Sequence, residues 1–163
     1  MKQSRPIVLY VVSEDWVFLG HRLPIAYAAR DAGFDVHVAT QVTDKAETIR
    51  RAGFTLHPIP YQRGTRSIFS VLATIRALRQ LERSLAPAIV HHSSLQASVY
   101  GSLAASGSGR RQINALTGLG YAYTSQNPDA RLLRRLLTPL LRFFLNRKES
   151  ITLVENPDDR AQI

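Results

Sequence analysis

The sequence has no cysteine among its 163 residues, which excludes disulfide bonds and thiolate metal sites. A chain without cysteine is consistent with a cytoplasmic location. No apolar run approaches the roughly 20 residues that a membrane-spanning helix needs. The apolar run at residues 6–12 leads directly into polar sequence, without the small-residue cleavage pattern of a signal peptide. We therefore expect a soluble, cytoplasmic protein.

Two common nucleotide-binding motifs are also missing. No G-x-G-x-x-G follows the first apolar segment, and no stretch has the G-K-[ST] ending of a P-loop. At the level of motifs, this excludes the two commonest nucleotide-binding uses of an α/β fold. No His or Cys arrangement has the spacing of a metal site, so the sequence predicts no metal.

Acidic residues are few, with 12 Asp and Glu against 21 Lys and Arg, so the formal net charge is +9. A field of this sign concentrates anions near the protein surface. The charge predicts an anionic partner and leaves open whether it is a phosphate compound, a nucleic acid or an acidic lipid surface.

The stretch from Pro6 to Thr40 organises the predicted fold. An unbroken apolar run is followed by a polar turn, a predicted helix from Leu19 to Arg30, a left-handed cap at Gly33 and a second apolar run. This order is typical of a parallel strand–helix–strand unit. The loop after its first strand then lies at the carboxyl edge of the sheet, where open α/β folds bind ligands.

The same alternation continues to residue 154. Further strands are predicted at residues 54–57, 88–91, 111–116 and 150–154. Helices are predicted at 44–51, ended by Gly53, at 67–85 with Ser67 as its cap, after a cap at Ser93 or Ser94, and at 129–148 with a kink at Pro139. The pattern predicts an α/β fold, a Rossmann-like open parallel sheet with helices on both faces. A well-formed helix start at Asn156 and Pro157 indicates a piece of a longer protein.

Polar residues follow two of these strands. His91 and His92 lie where the fourth strand ends, and because neighbouring strand residues face opposite ways, one at most faces the crevice. Such a histidine either hydrogen-bonds a ligand or is a buried structural residue, and the sequence leaves both open. Thr117, Gly118 and Gly120 follow the fifth strand, where paired glycines allow a close backbone approach to a phosphate or sugar.

The predicted helix from Asp129 to Lys148 is strongly amphipathic. Its apolar sector is wider than packing on a sheet requires, and arginines flank it. The arginines predicted to face an anionic membrane are Arg131, Arg134, Arg135 and Arg142. The alternative is an ordinary sheet-packing helix with a solvated basic face.

Four phrases together, SEDWVFLGHRLPIA, AIVHHSS, NALTGLGYAY and VENPDD, resemble the amino-terminal domain of family-4 glycosyltransferases. These are retaining enzymes of the two-domain GT-B architecture, and the likeness is closest to bacterial members that extend undecaprenyl-diphosphate-linked oligosaccharides. The resemblance implies transfer of a hexose or N-acetylhexosamine, with retention, from a nucleotide donor such as a UDP-sugar to a lipid-linked or polysaccharide acceptor. It implies no cofactor and no obligatory metal.

The resemblance also implies roles for individual residues. Arg22 would hold the acceptor diphosphate, His92 would act as the catalytic histidine by hydrogen-bonding an acceptor hydroxyl or the transferred sugar, and backbone amides would approach the donor diphosphate. The implied acceptor-binding residues are Glu14, Asp15, His21 and Arg22, and the implied donor-diphosphate residues are Thr117, Gly118 and Gly120.

On this basis, residues 1–163 are expected to form the acceptor-side domain, without the donor-binding carboxy-terminal domain. The chain alone would then be inactive, and the whole protein would lie at the inner face of the plasma membrane. One alternative is a non-enzymatic basic α/β module that binds nucleic acid or a protein. The lack of an RNA-recognition aromatic motif or a helix-turn-helix disfavours nucleic acid. Another is a small nucleotide-binding domain of flavodoxin type.

Overall fold

The computed structural model of the chain describes residues 5–62, 67–117, 123, 125–145 and 147–154. Strands and helices alternate along these residues, except that two helices follow the first strand. The strands are β1 Ile7–Glu14, β2 Asp35–Gln41, β3 Thr55–Pro58, β4 Ile89–Ser93, β5 Arg111–Leu116 and β6 Ser150–Val154. The helices are α1 Asp15–His21, α2 Leu23–Asp31, α3 Ala46–Arg51, α4 Ile68–Leu85, α5 Leu95–Ala104 and α6 Pro128–Leu145.

The six strands form one sheet in the order β3-β2-β1-β4-β5-β6. Every pair of neighbouring strands is parallel. The predicted Rossmann-like α/β fold is therefore confirmed. Chain order reverses between β1 and β4, and such a switch point opens a crevice at the carboxyl ends of the two strands. In that register Tyr10 pairs with His91 and Val12 pairs with Ser93.

Alternation along the strands builds a core on each face. Val8, Tyr10 and Val12 of β1 face the side covered by α1, α2 and α3, where Phe18 and Phe54 pack with ring centroids 5.8 Å apart. The intervening residues of β1 face the other side, in one cluster with residues of α4 and α5. Full burial of one such apolar side chain contributes about 1.5–3 kcal/mol. Burial on both faces explains why β1 is a continuous apolar run.

Three predicted helix ends are confirmed. Gly33 and Gly53 have φ of 93° and 86°, the left-handed conformation that glycine adopts without a steric penalty. Ser67 caps α4, because its side chain accepts a hydrogen bond from the Ser70 backbone N–H.

The helix predicted from Leu19 to Arg30 is wrong in one respect. The structure has two helices, α1 and α2, which meet at Arg22 with φ −118° and ψ −10°. Pro24 lies at the start of α2 and has no backbone N–H, so it cannot continue the hydrogen bonding of α1. The break places Arg22 on the turn that follows α1.

Two boundaries also differ from the prediction. The fourth strand extends through His92 to Ser93, and α6 ends at Leu145. Pro139 lies inside α6, and the kink predicted there stays a prediction. The helix start predicted at Asn156 lies outside the described residues.

Candidate functional site

The carboxyl edge of the sheet brings together residues that are distant in sequence. The crevice between β1 and β4 is bordered by the end of β1, the junction of α1 and α2, and the turn between β4 and α5. β5 neighbours β4, so Thr117, which follows β5 and is exposed, lies along the same edge. The expected gathering of these turns at one edge is therefore observed for the described residues.

Arg22 is held at this crevice by the end of β4. Its Nε donates a hydrogen bond to Ser93 Oγ at 2.7 Å, across 71 positions of sequence. Its backbone N–H bonds to the Phe18 carbonyl and closes α1. Among the described residues no partner is found for the two terminal guanidinium nitrogens. A guanidinium fixed through Nε retains the donors that hold phosphate or carboxylate oxygens in pairs.

His91 lies on the sheet face that carries Tyr10, its partner in the pairing of β1 with β4. Its ring centroid is 5.0 Å from that of Tyr10, and the side chain is buried. Burial, reinforced by the positive charge of Arg22 and by His92, lowers the pKa of His91 to about 4. The ring is therefore neutral near pH 7. Its Nε2 is buried without a hydrogen-bond partner in the described part of the chain.

Arg22 also acts on Tyr10. Burial raises the pKa of this tyrosine to about 12, and the charge of Arg22 opposes the shift. The guanidinium thus lies close enough to influence both rings beneath the crevice.

His92, predicted as the catalytic histidine, does not line this crevice in the structure. Its side chain is 0% exposed, and Nδ1 is 2.7 Å from Asn114 Oδ1. Asn114 Nδ2 in turn donates to Ser150 Oγ, which orients the amide so that its oxygen accepts from His92. Burial lowers the pKa of His92 to about 4, with the Asn114 hydrogen bond opposing. The ring is a core element beneath α5, its Nε2 has no hydrogen-bond partner among the described residues, and the catalytic role of His92 stays a prediction.

Gly101 is the residue of α5 that accommodates the His92 ring. A Cβ built on Gly101 would lie 2.0 Å from His92 Nε2, closer than any real contact. The two residues fit only because one has no side chain. The sequence signal was a lone glycine within a helical segment, which marks a close approach of this kind.

Asp15, predicted to bind the acceptor, is also placed differently. The side chain is 0% exposed, and its carboxylate accepts hydrogen bonds from the backbone N–H groups of Thr43, Lys45 and Trp16 and from the Thr43 hydroxyl. Burial raises the pKa of Asp15, but these hydrogen bonds together outweigh it and hold the pKa below its usual value. Both oxygens are engaged, so Asp15 positions the loop between β2 and α3.

Ser94 joins β4 to α5 in a conformation that is unusual for any residue except glycine. Its φ is 111° and its ψ is 161°. The residue caps α5, because Ser94 Oγ accepts from the Ala97 backbone N–H and its carbonyl accepts from Ser98. Ser94 lies at the switch point of the sheet. Strained backbone conformations of this kind are common in functional sites. The sequence indicated a cap at this position but not the strain.

The other predicted crevice residues are only partly described. Glu14 ends β1 and is half-buried, and His21 ends α1 and is exposed. Gly118 and Gly120 lie outside the described residues. The acceptor roles of Glu14 and His21 and the donor roles of Thr117, Gly118 and Gly120 stay predictions.

Helix α6 keeps an exposed apolar and basic surface. Arg131, Arg135 and Arg142 are exposed, while Arg134 is half-buried over the Tyr123 ring at 5.9 Å. The opposite side packs through Ala130, Leu141, Phe144 and Leu145. Among the described side chains of α6, four large apolar ones remain exposed, namely Leu132, Leu133, Leu136 and Phe143, at 61%, 42%, 63% and 65%. The packing of α6 against the rest of the domain thus buries only part of its apolar face.

Comparison with known families identifies the chain. A family model described as "Glycosyl transferase 4-like" matches residues 7–155, which is nearly the whole sequence. The chain belongs to this glycosyl transferase 4-like family. The match includes β1, β4 and β5 and hence the crevice between them. A comparison with curated protein sequences gave no match.

Solved structures share the fold of this glycosyl transferase 4-like chain. A putative UDP-N-acetylglucosamine 2-epimerase from Listeria monocytogenes aligns with TM-score 0.67 and 11% identity, over 98% of this chain and 42% of that one. Sucrose-phosphate synthase from Thermosynechococcus elongatus aligns with TM-score 0.64 and 14% identity, over 96% and 44%. Glycosyltransferase VinC, in complex with DTDP, aligns with TM-score 0.54 and 18% identity, over 91% and 48%. The chain spans less than half the length of each of these proteins.

Two further observations concern metals and membranes. Within the described residues, no group of three or more His, Cys, Asp or Glu side chains is arranged to hold a metal ion. No helix in the described ranges combines the length and apolar character needed to cross a bilayer.

Proposed function

We propose that this chain is the acceptor-side domain of a retaining GT-B glycosyltransferase, which transfers a sugar from a nucleotide donor to a lipid-linked or glycan acceptor. The observation that carries the proposal is the crevice between β1 and β4, where Arg22 is hydrogen-bonded to Ser93 and its charge contributes to keeping His91 neutral. Membership of the glycosyl transferase 4-like family supports sugar transfer as the reaction class.

Arg22 is the group that we assign to the acceptor diphosphate. A lipid-linked sugar carries its negative charge on this diphosphate, and paired guanidinium N–H groups match phosphate oxygens in geometry and charge. The hydrogen bond to Ser93 restricts the rotamers of Arg22 before the ligand arrives, which reduces the entropy lost on binding. Ser93 is therefore a positioning residue.

We assign His91, in place of His92, as the histidine beneath the bound acceptor. It shares a sheet face with Tyr10, and its pKa responds to Arg22, whereas His92 is held by Asn114 on the other face. The Nε2 atoms of His91 and His92 are both buried and unpartnered in the described residues, so a hydrogen bond from a sugar or lipid-linked hydroxyl to the neutral His91 ring requires that ring to become accessible when the acceptor binds.

The donor is proposed to be a UDP-hexose or a UDP-N-acetylhexosamine, bound without an obligatory metal. The nucleotide named with VinC and the UDP-sugar named for the Listeria protein support a nucleotide-sugar donor. Thr117 lies on the same edge of the sheet as Arg22, which supports a donor diphosphate there with Gly118 and Gly120. The greater length of the aligned proteins supports a further donor-binding domain in the whole protein.

Helix α6 is proposed to rest on an anionic membrane surface, at the inner face of the plasma membrane. Exposed leucines beside arginines suit insertion at the headgroup boundary, and each arginine near such a surface contributes about 1 kcal/mol. The first turns of α4 expose Ile68, Phe69 and Leu72, at 62%, 81% and 56%. The first turns of α4 and α6 follow carboxyl ends of strands, so both apolar surfaces lie toward the crevice edge.

An activity assay on the full protein that contains this chain tests the reaction. Labelled UDP-sugars and a bacterial lipid-linked acceptor are supplied, and the anomeric configuration of the product is read by NMR. We expect transfer with retention, and about tenfold or greater loss of kcat/KM for the acceptor in Arg22→Gln. Arg50→Gln, an exposed arginine on α3, is the control and should match the wild type.

Two results would contradict the proposal. One is inversion at the anomeric carbon. The other is an absence of transfer from every nucleotide-sugar, combined with tight RNA or DNA binding at physiological salt, which would favour the non-enzymatic basic module instead.

Vesicle binding tests the membrane surface separately. Reversing Arg131 and Arg135 to Glu changes the charge facing the lipid by four units, so partition onto anionic vesicles should fall at least about 100-fold. The control reverses Arg5 and Arg50, which are exposed and lie outside α6, and should lose much less. Equal wild-type binding to neutral and anionic vesicles would refute the electrostatic part of the proposal.

A further inference from the structure

A second polar recess lies at the edge of the sheet opposite the crevice. Its walls are the last turns of α4, the end of α5 and the turn that precedes β5, and its volume is about 240 Å³. Because α4 ends just before β4 begins, and the turn leads directly into β5, the recess lies at the amino ends of these strands. The polar lining residues are Arg79, Glu82, Arg83, Ser106, Ser108 and Arg110.

The charges in this recess are unbalanced. Three guanidinium groups, from Arg79, Arg83 and Arg110, surround one carboxylate, that of Glu82. Arg79 and Arg83 are exposed, whereas Glu82 is 2% exposed. The net charge of the lining is therefore about +2 when Glu82 is ionised, a field that attracts an anion and repels a cation.

The hydrogen bonding of the recess is incomplete as well. Glu82 Oε2 lies 3.8 Å from Arg110 Nε, which is an ion pair but too long for a hydrogen bond. Neither Glu82 oxygen nor Arg110 Nε has a hydrogen-bond partner within the described residues, although all three atoms are buried. Arg79 donates to the Ser106 carbonyl at 3.1 Å and so reaches across the recess to the turn. Buried polar atoms of this kind ordinarily have a partner.

We propose that this recess is a binding site for a small dianionic oxyanion, inorganic phosphate or a phosphomonoester, held by Arg79, Arg83 and Arg110. Guanidinium groups from two separate segments converge on the space, as phosphate recognition requires. The volume is below the roughly 300 Å³ at which pockets for drug-sized ligands begin, so a complete nucleotide-sugar does not fit. The site is thus separate from the crevice and independent of the proposed function.

The protonation state of Glu82 should control how strongly this site binds an anion. Burial raises its pKa to about 7, with the charges of Arg110 and Arg79 opposing. The charged groups that line the recess with Glu82 are Arg79 and Arg83 of its own helix and Arg110 of the turn. Protonation of Glu82 removes the one negative charge and adds an O–H donor, so it should strengthen anion binding.

Titration of the chain with sulfate tests the site, because sulfate remains a dianion throughout the neutral pH range. Amide NMR shifts of residues 106–110 report binding at constant ionic strength. We expect saturable shifts, with affinity about fivefold or more higher near pH 6 than near pH 8. Inorganic phosphate and glycerol 3-phosphate, compared near pH 8, distinguish a free ion from a phosphomonoester as the preferred ligand.

Two arginine variants and a matched control test whether sulfate binds in this recess. Arg79→Gln and Arg83→Gln change exposed side chains and should each weaken sulfate binding about fivefold or more. Arg76→Gln, an exposed arginine of the same helix that does not line the recess, should leave affinity unchanged. Equal losses in all three variants would indicate a general charge effect and overturn the site.

A Glu82→Gln variant tests the proton linkage and keeps the side-chain shape. It should bind sulfate near pH 8 as tightly as the wild type does near pH 6, and it should lose the pH dependence. Unsaturable shifts in the wild type, or unchanged pH dependence in Glu82→Gln, would overturn the proposal.

Discussion

Ser94 gives a prediction whose size follows from the geometry. A non-glycine residue at φ 111° and ψ 161° stores about 1–3 kcal/mol of backbone strain. Ser94→Gly removes that strain and loses only a few tenths of a kcal/mol of capping, while the more flexible unfolded chain costs about 0.5–1 kcal/mol. Ser94→Ala keeps the strain and loses the cap, at about 1 kcal/mol. Glycine should therefore exceed alanine by about 2 kcal/mol in free energy of unfolding.

Urea unfolding of the two variants measures this difference. Ala73, an exposed residue in the interior of α4, supplies the control, because alanine is about 1 kcal/mol better than glycine within a helix, so Ala73→Gly should be destabilised. The order of glycine and alanine should thus reverse between positions 94 and 73. Alanine equal to or more stable than glycine at position 94 would refute the strain at the switch point.

Three further predictions concern buried groups. Gly101→Ala should destabilise the fold by about 3 kcal/mol, because its Cβ overlaps the buried His92 ring. In a His92→Ser background this loss of stability should shrink. A double-mutant cycle measured by urea unfolding tests the contact, and an unchanged loss would contradict it. Asp15 has a lowered folded pKa, so its contribution to stability is full above the usual value of 3.8 and is lost as pH falls below it. An Asp15→Asn variant should therefore lose less free energy of unfolding on acidification than the wild type does. Parallel plots of unfolding free energy against pH for the two proteins would contradict this. Glu82 has a folded pKa raised from 4.5 to about 7, so its ionisation destabilises the fold increasingly as pH rises through that window. The free energy of unfolding of Glu82→Gln, relative to the wild type, should therefore be up to about 3 kcal/mol more favourable near pH 8 than near pH 4. A difference from the wild type that does not change with pH would contradict this.

The sheet and its functional edge could be predicted from local sequence. The β5 and β6 ranges were predicted as observed, and glycines at positions 33 and 53 ended helices as expected. The physical reason is that apolar runs and left-handed glycines act locally, while parallel strands with helical crossovers place the loops after β1 and β4 at one edge. The predicted proximity of Arg22 to the end of β4 followed from this topology alone.

The roles of individual polar residues at that edge could not be predicted in the same way. The choice between His91 and His92 depends on the phase of one strand, and a shift of one residue exchanges the two faces. Asp15 lies next to the crevice in sequence, yet the loop 28 positions later takes both its oxygens. The strain at Ser94 is a consequence of how β4 joins α5, and no residue type in the sequence encodes it.

The most direct test of the account is a calorimetric titration of this chain with a water-soluble, short-chain prenyl diphosphate-linked sugar. We predict binding by the wild type and by Arg50→Gln, and about tenfold or greater loss of affinity in Arg22→Gln, since one charge-assisted hydrogen-bonding group is removed from the diphosphate. Equal affinity in Arg22→Gln and Arg50→Gln would contradict the central claim that the crevice between β1 and β4 holds the acceptor.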